Sequence, residues 1–218
     1  MKKLVYTIML ISGSLAFGQS SQGLMSNLSA QTGGLLLNSK TGEKTAINPN
    51  HYAEVEFAKG KVDGYTEAEY RYNAFTDNVE FLDADKNLLS LIKNDRKLRF
   101  NNGRVYQYLT FKTESDGVES RYLQYVSDSE QPNSLLKSLV VKEQVNENTN
   151  SYSKTELVKY KKIETFYLKN ENGVVEIPTS AKKVKSLLGD KADEIVKSKK
   201  LNLKKQGDLL TLVDLLNK

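Results

Sequence analysis

The stretch Arg104–Lys112, Arg-Val-Tyr-Gln-Tyr-Leu-Thr-Phe-Lys, decides the fold class of this chain. Val105, Leu109 and Phe111 lie two or four residues apart, so the side chains repeat with the period of a strand that has two different faces. The stretch follows the residues 101–103, Asn-Asn-Gly, which tolerate the positive φ of a tight hairpin turn. It therefore predicts an antiparallel strand entered through a hairpin.

The same pattern extends from His51 to Ile177. Period-two runs occur at 53–57, 68–73, 79–81 and 89–91, and turn residues separate the runs at 63–64, 116–117 and 170–173. A meander of about eight to ten antiparallel strands is predicted, and because a sheet of that length curls, we expect a partial barrel.

After Pro178 the period becomes helical. Ser180 is a candidate N-cap, Gly189 ends the first helix, and Asp190 begins a second. A third helix, predicted over 208–217, is apolar on nearly every side: it contains Leu209, Leu210, Leu212, Val213, Leu215 and Leu216. Such a helix must be buried, on its own sheet or in a partner, and the flexible pair at 206–207 favours its own sheet. The predicted fold class is α+β, mainly β, with two or three short C-terminal helices.

The N-terminus has the pattern of a secretory signal peptide. Lys2 and Lys3 precede a short apolar run, and small residues stand at Ala16 and Gly18, three and one before the predicted cleavage. The predicted organisation is a signal peptide over 1–18, a flexible lead over 19–50, a β domain over 51–178 and a lysine-rich helical segment over 179–218. No later apolar run is long enough to predict a transmembrane segment.

Composition narrows the cell compartment and the partners. The chain has no cysteine, which excludes disulfides and thiolate metal sites and, for an exported protein, favours the bacterial envelope. The net charge of +5 falls to +3 when Lys2 and Lys3 leave with the signal. Residues 179–218 hold ten lysines and five acids, so residues 19–178 carry about −2. We therefore expect no nucleic-acid partner; the lysines are typical of a solvated face or of contact with an acidic partner.

Two sequence patterns suggest a metal site or a nucleophilic serine, but neither has its residues where such a site needs them. The segment Asp83–Asn87 resembles the start of a calcium loop, but Leu88 and Asn94 stand where glycine and glutamate are needed, so a hairpin turn is predicted. A serine followed three residues later by a lysine is the spacing of a serine nucleophile and its assisting lysine. In a strand these two side chains point to opposite faces, so the lysine cannot reach the serine. At Ser180 the pattern is explained by a helix cap.

The remaining candidates for catalysis are His51 and pairs of carboxylates. His51 is the only histidine and is read as a surface turn residue. The paired carboxylates are predicted on solvent-exposed faces of strands, where no burial would raise the pKa of either carboxyl group. No enzyme activity, cofactor or metal site is predicted.

Tyrosine provides the candidate recognition residues. Eleven tyrosines fall in the β region, where they suit half-buried strands, yet a face with Arg104, Tyr106 and Tyr108 is also a candidate binding surface. The second candidate surface is the apolar side of the last helix: Leu209, Leu212, Val213 and Leu216.

Three stretches carry a family resemblance: residues 16–19, Ala-Phe-Gly-Gln; Gly64 to Phe81, with Arg-Tyr-Asn and Val-Glu-Phe; and the finish from Phe166 to Asn217. Together they resemble a set of uncharacterised exported proteins of Bacteroidota-type bacteria. The resemblance implies an envelope location and transfers no catalytic residue.

Two functions are consistent with these features. The first is a non-enzymatic interaction protein of the periplasm or outer-membrane surface, accessory to an envelope or outer-membrane protein complex. The alternative is a carrier, in which the curled sheet encloses a lipid or another small hydrophobic ligand.

Overall fold

The computed structural model describes residues 37–40, 48–83, 87–145 and 158–218. The predicted signal peptide, most of the predicted lead and the centre of the turn at 83–87 lie outside the described residues. The strands are β1 (Leu37–Lys40), β2 (Ala58–Val62), β3 (Glu67–Asn73), β4 (Asn78–Leu82), β5 (Leu88–Leu91), β6 (Lys97–Phe100), β7 (Val105–Lys112), β8 (Val118–Tyr125), β9 (Ser134–Val145), β10 (Val158–Asn170) and β11 (Gly173–Glu176).

All of these strands belong to one sheet in the order β1-β5-β4-β3-β2-β6-β7-β11-β10-β9-β8, with β1 at its edge. A further pairing of β7 with β8 closes the last five strands into a ring. The prediction of a mainly β protein, curled into a partial barrel, is confirmed. Closure requires one parallel pair, β7 with β11, where Val175 lies opposite Lys112; the sheet is therefore mixed.

The predicted turns explain most of the connections. Gly64, Gly103 and Gly173 have φ values of 84°, 87° and 118°, and Asp116 has a φ of 63°. Gly64, Gly103 and Asp116 each lie between two strands that pair with one another, and Gly173 begins β11 directly after the turn from its partner β10. These positions need left-handed backbone, which glycine adopts freely and aspartate tolerates.

The ring encloses a filled core. All five of its strands contribute to one buried cluster: Phe111, Leu123, Tyr125, Leu136, Tyr167 and Val174. Inside it, the hydroxyls of Ser138 and Tyr167 lie 3.2 Å apart and satisfy one another.

A second layer covers part of the outer face of the ring. The sheet β2–β6 packs there around an aromatic core that joins Tyr70, Tyr72 and Phe81 to Tyr106 and Tyr122 of the ring strands.

The helices form the third structural unit. They are α1 (Val184–Leu188), α2 (Asp190–Lys199) and α3 (Gln206–Leu216), preceded by a short 3-10 turn at Ala181–Lys183 that Ser180 caps. Leu209, Leu212 and Val213 of α3 are fully buried in a cluster that includes Leu135 and Leu168 of the ring. The apolar helix is therefore buried against its own protein, as the sequence led us to expect.

The alternation at 53–57 does not form the predicted strand. Tyr52 makes only an isolated bridge with Asn73, and the N–H of Ala53 donates to the carbonyl of Tyr72 at 3.3 Å. Arg71 holds the segment there: its guanidinium lies 4.1 Å from the ring centre of Tyr52 and 4.4 Å from that of Phe57. It also pairs with buried Glu80 at 2.8 Å. A buried cation with this many partners competes with strand pairing for the segment.

Candidate functional site

A cleft of about 240 Å³ opens on the outer face of the ring. Its position can be followed along β9, where alternate side chains share a face. Leu135 packs in the helical cluster and Val141 packs in the aromatic core, whereas Lys137 and Leu139 between them line the cleft. The cleft is thus the gap between the two layers that cover this face; we call it the tyrosine cleft.

Three tyrosines form its floor. Tyr72, Tyr106 and Tyr122 are each 4 % exposed and line the cleft. The ring centre of Tyr72 lies 5.3 Å from that of Tyr106 and 6.1 Å from that of Tyr122. These are the spacings at which aromatic rings attract one another. The floor therefore belongs to the aromatic core and is rigid.

Two ion pairs form the rim. Arg104 pairs with Glu54, and Lys137 pairs with Glu164 at 2.9 Å. The carboxylates of Glu54 and Glu164 are 56 % and 47 % exposed, while the two cations are mostly covered. The charges cancel within each pair, so the rim offers polar atoms without a net charge.

Asp77 fixes the floor. It lies in the β3–β4 turn with a φ of 53°. Its Oδ1 accepts hydrogen bonds from the hydroxyl of Tyr72 at 2.9 Å and from the backbone N–H of Tyr122 at 3.1 Å. Lys93 donates to its Oδ2 at 3.0 Å. One carboxylate therefore ties the covering sheet to the ring at the cleft.

The floor tyrosines remain neutral over the physiological pH range. Burial raises the pKa of Tyr72 and Tyr122 above the usual value, and burial raises the pKa of Tyr106 to about 12. The hydroxyl of Tyr106 donates to the side-chain oxygen of Gln124 at 3.3 Å. Among the described residues, none forms a hydrogen bond with the hydroxyl of Tyr122.

A second, smaller cavity adjoins the cleft. It has a volume of about 10 Å³ and shares Glu54, Arg104 and Tyr106 with the cleft. Tyr70 lines it and is fully buried, and its hydroxyl has no hydrogen-bond partner in the described part of the chain. An unpaired buried hydroxyl is costly, and the cavity beside it is about the size of one water molecule, which would satisfy it.

The predicted recognition residues divide between the cleft and the core. Arg104 and Tyr106 line the cleft; Tyr108 lies beside it, with its ring centre 5.2 Å from that of Tyr122. On the last helix, Leu209, Leu212 and Val213 are buried and Leu216 is half-buried. Gln124, Lys137 and Glu164 were not predicted as site residues, because only cross-strand register brings them together.

Register shows how these residues meet. Tyr106 lies opposite Gln124, and Gln124 lies opposite Lys137, so three adjacent strands present one row. Leu139 lies opposite Glu164 in the neighbouring row. No local motif could have indicated this arrangement.

The lysine-rich segment presents a second feature, the turn between α2 and α3. Lys199, Lys200, Lys204 and Lys205 are all exposed there. Within the described parts of the chain, none of their amines lies in salt-bridge distance of a carboxylate. We call these four residues the basic turn.

Backbone hydrogen bonds and one buried leucine hold the basic turn. Lys200 has a φ of 52°, and the N–H of Leu201 donates to the carbonyl of Val196 at 3.0 Å. Leu203 is buried in the helical cluster, and the N–H of Asn202 donates to Asp208 at 2.7 Å. The four amines are therefore presented from a fixed backbone.

The residues rejected as catalytic have structural roles. The His51 ring stacks on Phe75 with ring centres 4.2 Å apart, and Ser180 caps the 3-10 turn. Over the described ranges, no group of three or more histidine, cysteine or acidic side chains is placed to hold a metal ion. Within those same ranges, no helix has the length and apolar character needed to cross a membrane.

Comparisons with family models, with curated proteins and with solved structures found no significant match to this chain. The candidate site is therefore argued from its geometry alone.

Proposed function

We propose that this protein is a non-enzymatic, exported interaction protein of the bacterial periplasm or outer-membrane surface, and that it engages an acidic envelope protein through the basic turn. The proposal rests on one observation: the four lysines of the basic turn have no acidic partner among the described residues, and hydrogen bonds and a buried leucine hold their backbone. All ten lysines of residues 179–218 are exposed, and three of them, Lys183, Lys185 and Lys197, pair with carboxylates.

Fixed, unpaired cations favour an anionic partner for a physical reason. Flexible surface lysines lose side-chain entropy on pairing, and exposed pairs contribute little. Lysines that stand close together on one short turn add their potentials, steer an oppositely charged partner and make its association dependent on salt. The basic turn combines charge with a backbone that is already ordered.

The carrier alternative has less support. A hydrophobic ligand would occupy the interior of the curled sheet, and that interior is filled by the buried cluster around Leu123 and Leu136. The interaction role uses surfaces that the fold leaves exposed, so it is the function we propose.

Affinity purification from envelope fractions tests the proposal. The test variant carries Lys199→Gln, Lys200→Gln, Lys204→Gln and Lys205→Gln. The matched control carries four glutamines at exposed lysines of the β region: Lys59, Lys61, Lys112 and Lys142. We expect wild type and control to retain a stoichiometric envelope-protein partner at low salt, and the test variant to lose it.

Salt and location complete this test. Raising the ionic strength should weaken the association of wild type and of the control to a similar extent. The mature protein, isolated from periplasm or outer membrane, should begin at Gln19. Equal recovery of the partner with test variant and control would refute the role of the basic turn. A cytoplasmic protein with an intact N-terminus would refute export.

A further inference from the structure

We infer that the first half of β8, residues 118–121, is a strand-addition site. It receives an extended peptide of a partner protein, with an acidic side chain of that peptide opposite Arg121. None of these residues belongs to the basic turn, so the inference does not depend on the proposed function. It rests on strand pairing that stops halfway along β8, on an exposed valine and on the surroundings of Arg121.

β8 is paired along both of its edges only in its second half. Its pairing with β7 begins at Val118, whereas its pairing with β9 involves only Gln124 and Tyr125. In the described chain, no strand pairs with the second edge of residues 118–121. We call this side of residues 118–121 the open edge.

The open edge presents backbone groups that another strand can use. The N–H of Tyr122 donates to Asp77 of the β3–β4 turn at 3.1 Å, so it points away from β7. Backbone groups alternate in direction along a strand, and those of Val118 and Ser120 therefore point the same way. Each of these two residues presents an N–H and a C=O along the open edge. Such groups are a template for pairing with another chain.

The open edge is regular and carries an exposed apolar side chain. Residues 118–121, Val-Glu-Ser-Arg, contain no proline, and their register with β7 is continuous. Val118 is 68 % exposed. An added strand would cover part of this side chain, and the burial of apolar surface favours its addition.

Arg121 indicates the chemistry of the peptide. Its side chain is on the same face of β8 as Leu123, which is buried inside the ring. The side chain is 24 % exposed, and its Nε is buried with no hydrogen-bond partner among the described residues. Its ion-pair partner Glu119 lies 3.6 Å from Nη2 and is 56 % exposed. A buried donor without a partner is costly, and a carboxylate on an added strand would satisfy it.

The length of the open edge favours a peptide segment over a second folded copy. A stable interface between folded proteins buries about 1,200–2,000 Å², and an edge of four residues does not supply that area. The β3–β4 turn also ends the open edge at Tyr122, through Asp77. An extended segment needs only the main-chain groups of the edge and a few side-chain contacts.

The side chains of the open edge determine a probe peptide. In an antiparallel pairing, an acidic residue lies opposite Arg121 and a small polar residue lies opposite Ser120. A basic residue then lies opposite Glu119, and an apolar residue lies opposite Val118. The probe is therefore acetyl-Thr-Val-Glu-Thr-Lys-Val-Thr-amide. The matched control peptide has glutamine in place of the glutamate.

An amide-detected NMR titration of the full chain tests the inference. We expect saturable binding of the glutamate peptide, with the largest shifts at Val118, Ser120 and Arg121. Hydrogen exchange of the Val118 and Ser120 amides should become slower, because added strand bonds protect them. The glutamine peptide should bind about fivefold more weakly, the loss expected when a charged hydrogen bond becomes a neutral one.

Matched variants connect the binding to the open edge. Arg121→Gln should bind the glutamate and glutamine peptides equally well. Val118→Pro removes an N–H that points away from β7, so the hairpin keeps its bonds while the peptide binds more weakly. Lys59→Gln changes an exposed cation on β2 and should bind both peptides as wild type does.

Four results would overturn the inference. The first two are a lack of saturable binding by the glutamate peptide and peptide-induced shifts that fall outside the open edge. The third is equal affinity of wild type for the glutamate and glutamine peptides. The fourth is dimerisation through the open edge without peptide, measured by analytical ultracentrifugation, which would assign the edge to a second copy. Each of these results leaves the partner assay of the basic turn unaffected.

Discussion

The two faces of β9 are covered in different ways. On the inner face, Leu136 and Ser138 are 0 % and 1 % exposed and belong to a closed, filled ring. On the outer face, Leu135 and Val141 are covered by two separate layers, and Lys137 and Leu139 lie in the gap between them. Ring closure forces the inner side chains to fill their own space, whereas the outer face is filled only where another layer reaches it. A cleft is therefore expected on the outside of this ring.

Removal of a covering layer should have the largest effect. Deletion of residues 208–218 removes Leu209, Leu212 and Val213, which are 0–1 % exposed. Burial of a single such side chain is worth about 1.5–3 kcal/mol, so the loss of all three should remove much of a typical net stability of ~5–15 kcal/mol. Thermal unfolding followed by circular dichroism should show a melting temperature many degrees lower, or no folded protein.

Substitutions on the exposed side of the same helix are the control. Thr211→Ala and Asp214→Ala change exposed residues and should leave the melting temperature unchanged. If the deletion melts as wild type does, α3 does not contribute to the core and the helical layer does not stabilise the ring.

The inner and outer faces should differ in their tolerance of truncation. Leu136→Ala in the filled ring should lower the free energy of unfolding by about 2–5 kcal/mol, because the ring is closed and cannot collapse around the cavity. Leu139→Ala at the cleft removes the same atoms from a half-buried site and should cost about 1 kcal/mol. Urea denaturation measures both, and equal losses would contradict the contrast between the faces.

Features that depend on neighbouring residues were predicted from the sequence, and features that depend on distant residues were not. Turns depend on neighbouring residues, so the breaks at 63–64, 101–103, 116–117 and 170–173 were located correctly. The helices after Pro178 have local caps and periodicity, and they too were predicted. The segment 53–57 was predicted wrongly because the partner that holds it, Arg71, is distant in the chain.

The cleft was only partly predictable for the same reason. Arg104 and Tyr106 stand in the stretch with the strongest alternation, so they were identified as candidates. Lys137 and Glu164 reach the site through the pairing of β8, β9 and β10. Strand order and register depend on long-range packing, which one sequence does not display.

Loss of the connection between the layers should have an intermediate effect. Asp77→Ala removes the acceptor of the Tyr72 hydroxyl and of the Tyr122 N–H, and alanine disfavours the φ of 53° at this position. We expect a loss of about 2–3 kcal/mol in the free energy of unfolding. Asp77→Asn keeps an acceptor and tolerates this backbone, so urea denaturation should show that it restores most of the loss; equal losses for both variants would show that the hydrogen bonds contribute little.

The smallest effects should come from two tyrosines that lie two residues apart on the same face of β3. The hydroxyl of Tyr72 donates to Asp77, so Tyr72→Phe should lower the free energy of unfolding by about 1 kcal/mol. The hydroxyl of Tyr70 is buried and unpaired within the described structure, so its removal costs no protein hydrogen bond. Tyr70→Phe should therefore leave stability unchanged or raise it by up to about 1 kcal/mol.

Urea denaturation of the two phenylalanine variants in parallel distinguishes a hydroxyl that stabilises the fold through a hydrogen bond from one that does not. The ring of each residue stays in the aromatic core, so packing is the same in both comparisons and only the hydroxyl differs. If Tyr70→Phe destabilises as much as Tyr72→Phe does, the Tyr70 hydroxyl has a structural partner and is not available to a ligand. If it is neutral or stabilising, the small cavity beside the tyrosine cleft holds a polar group that the fold itself does not need.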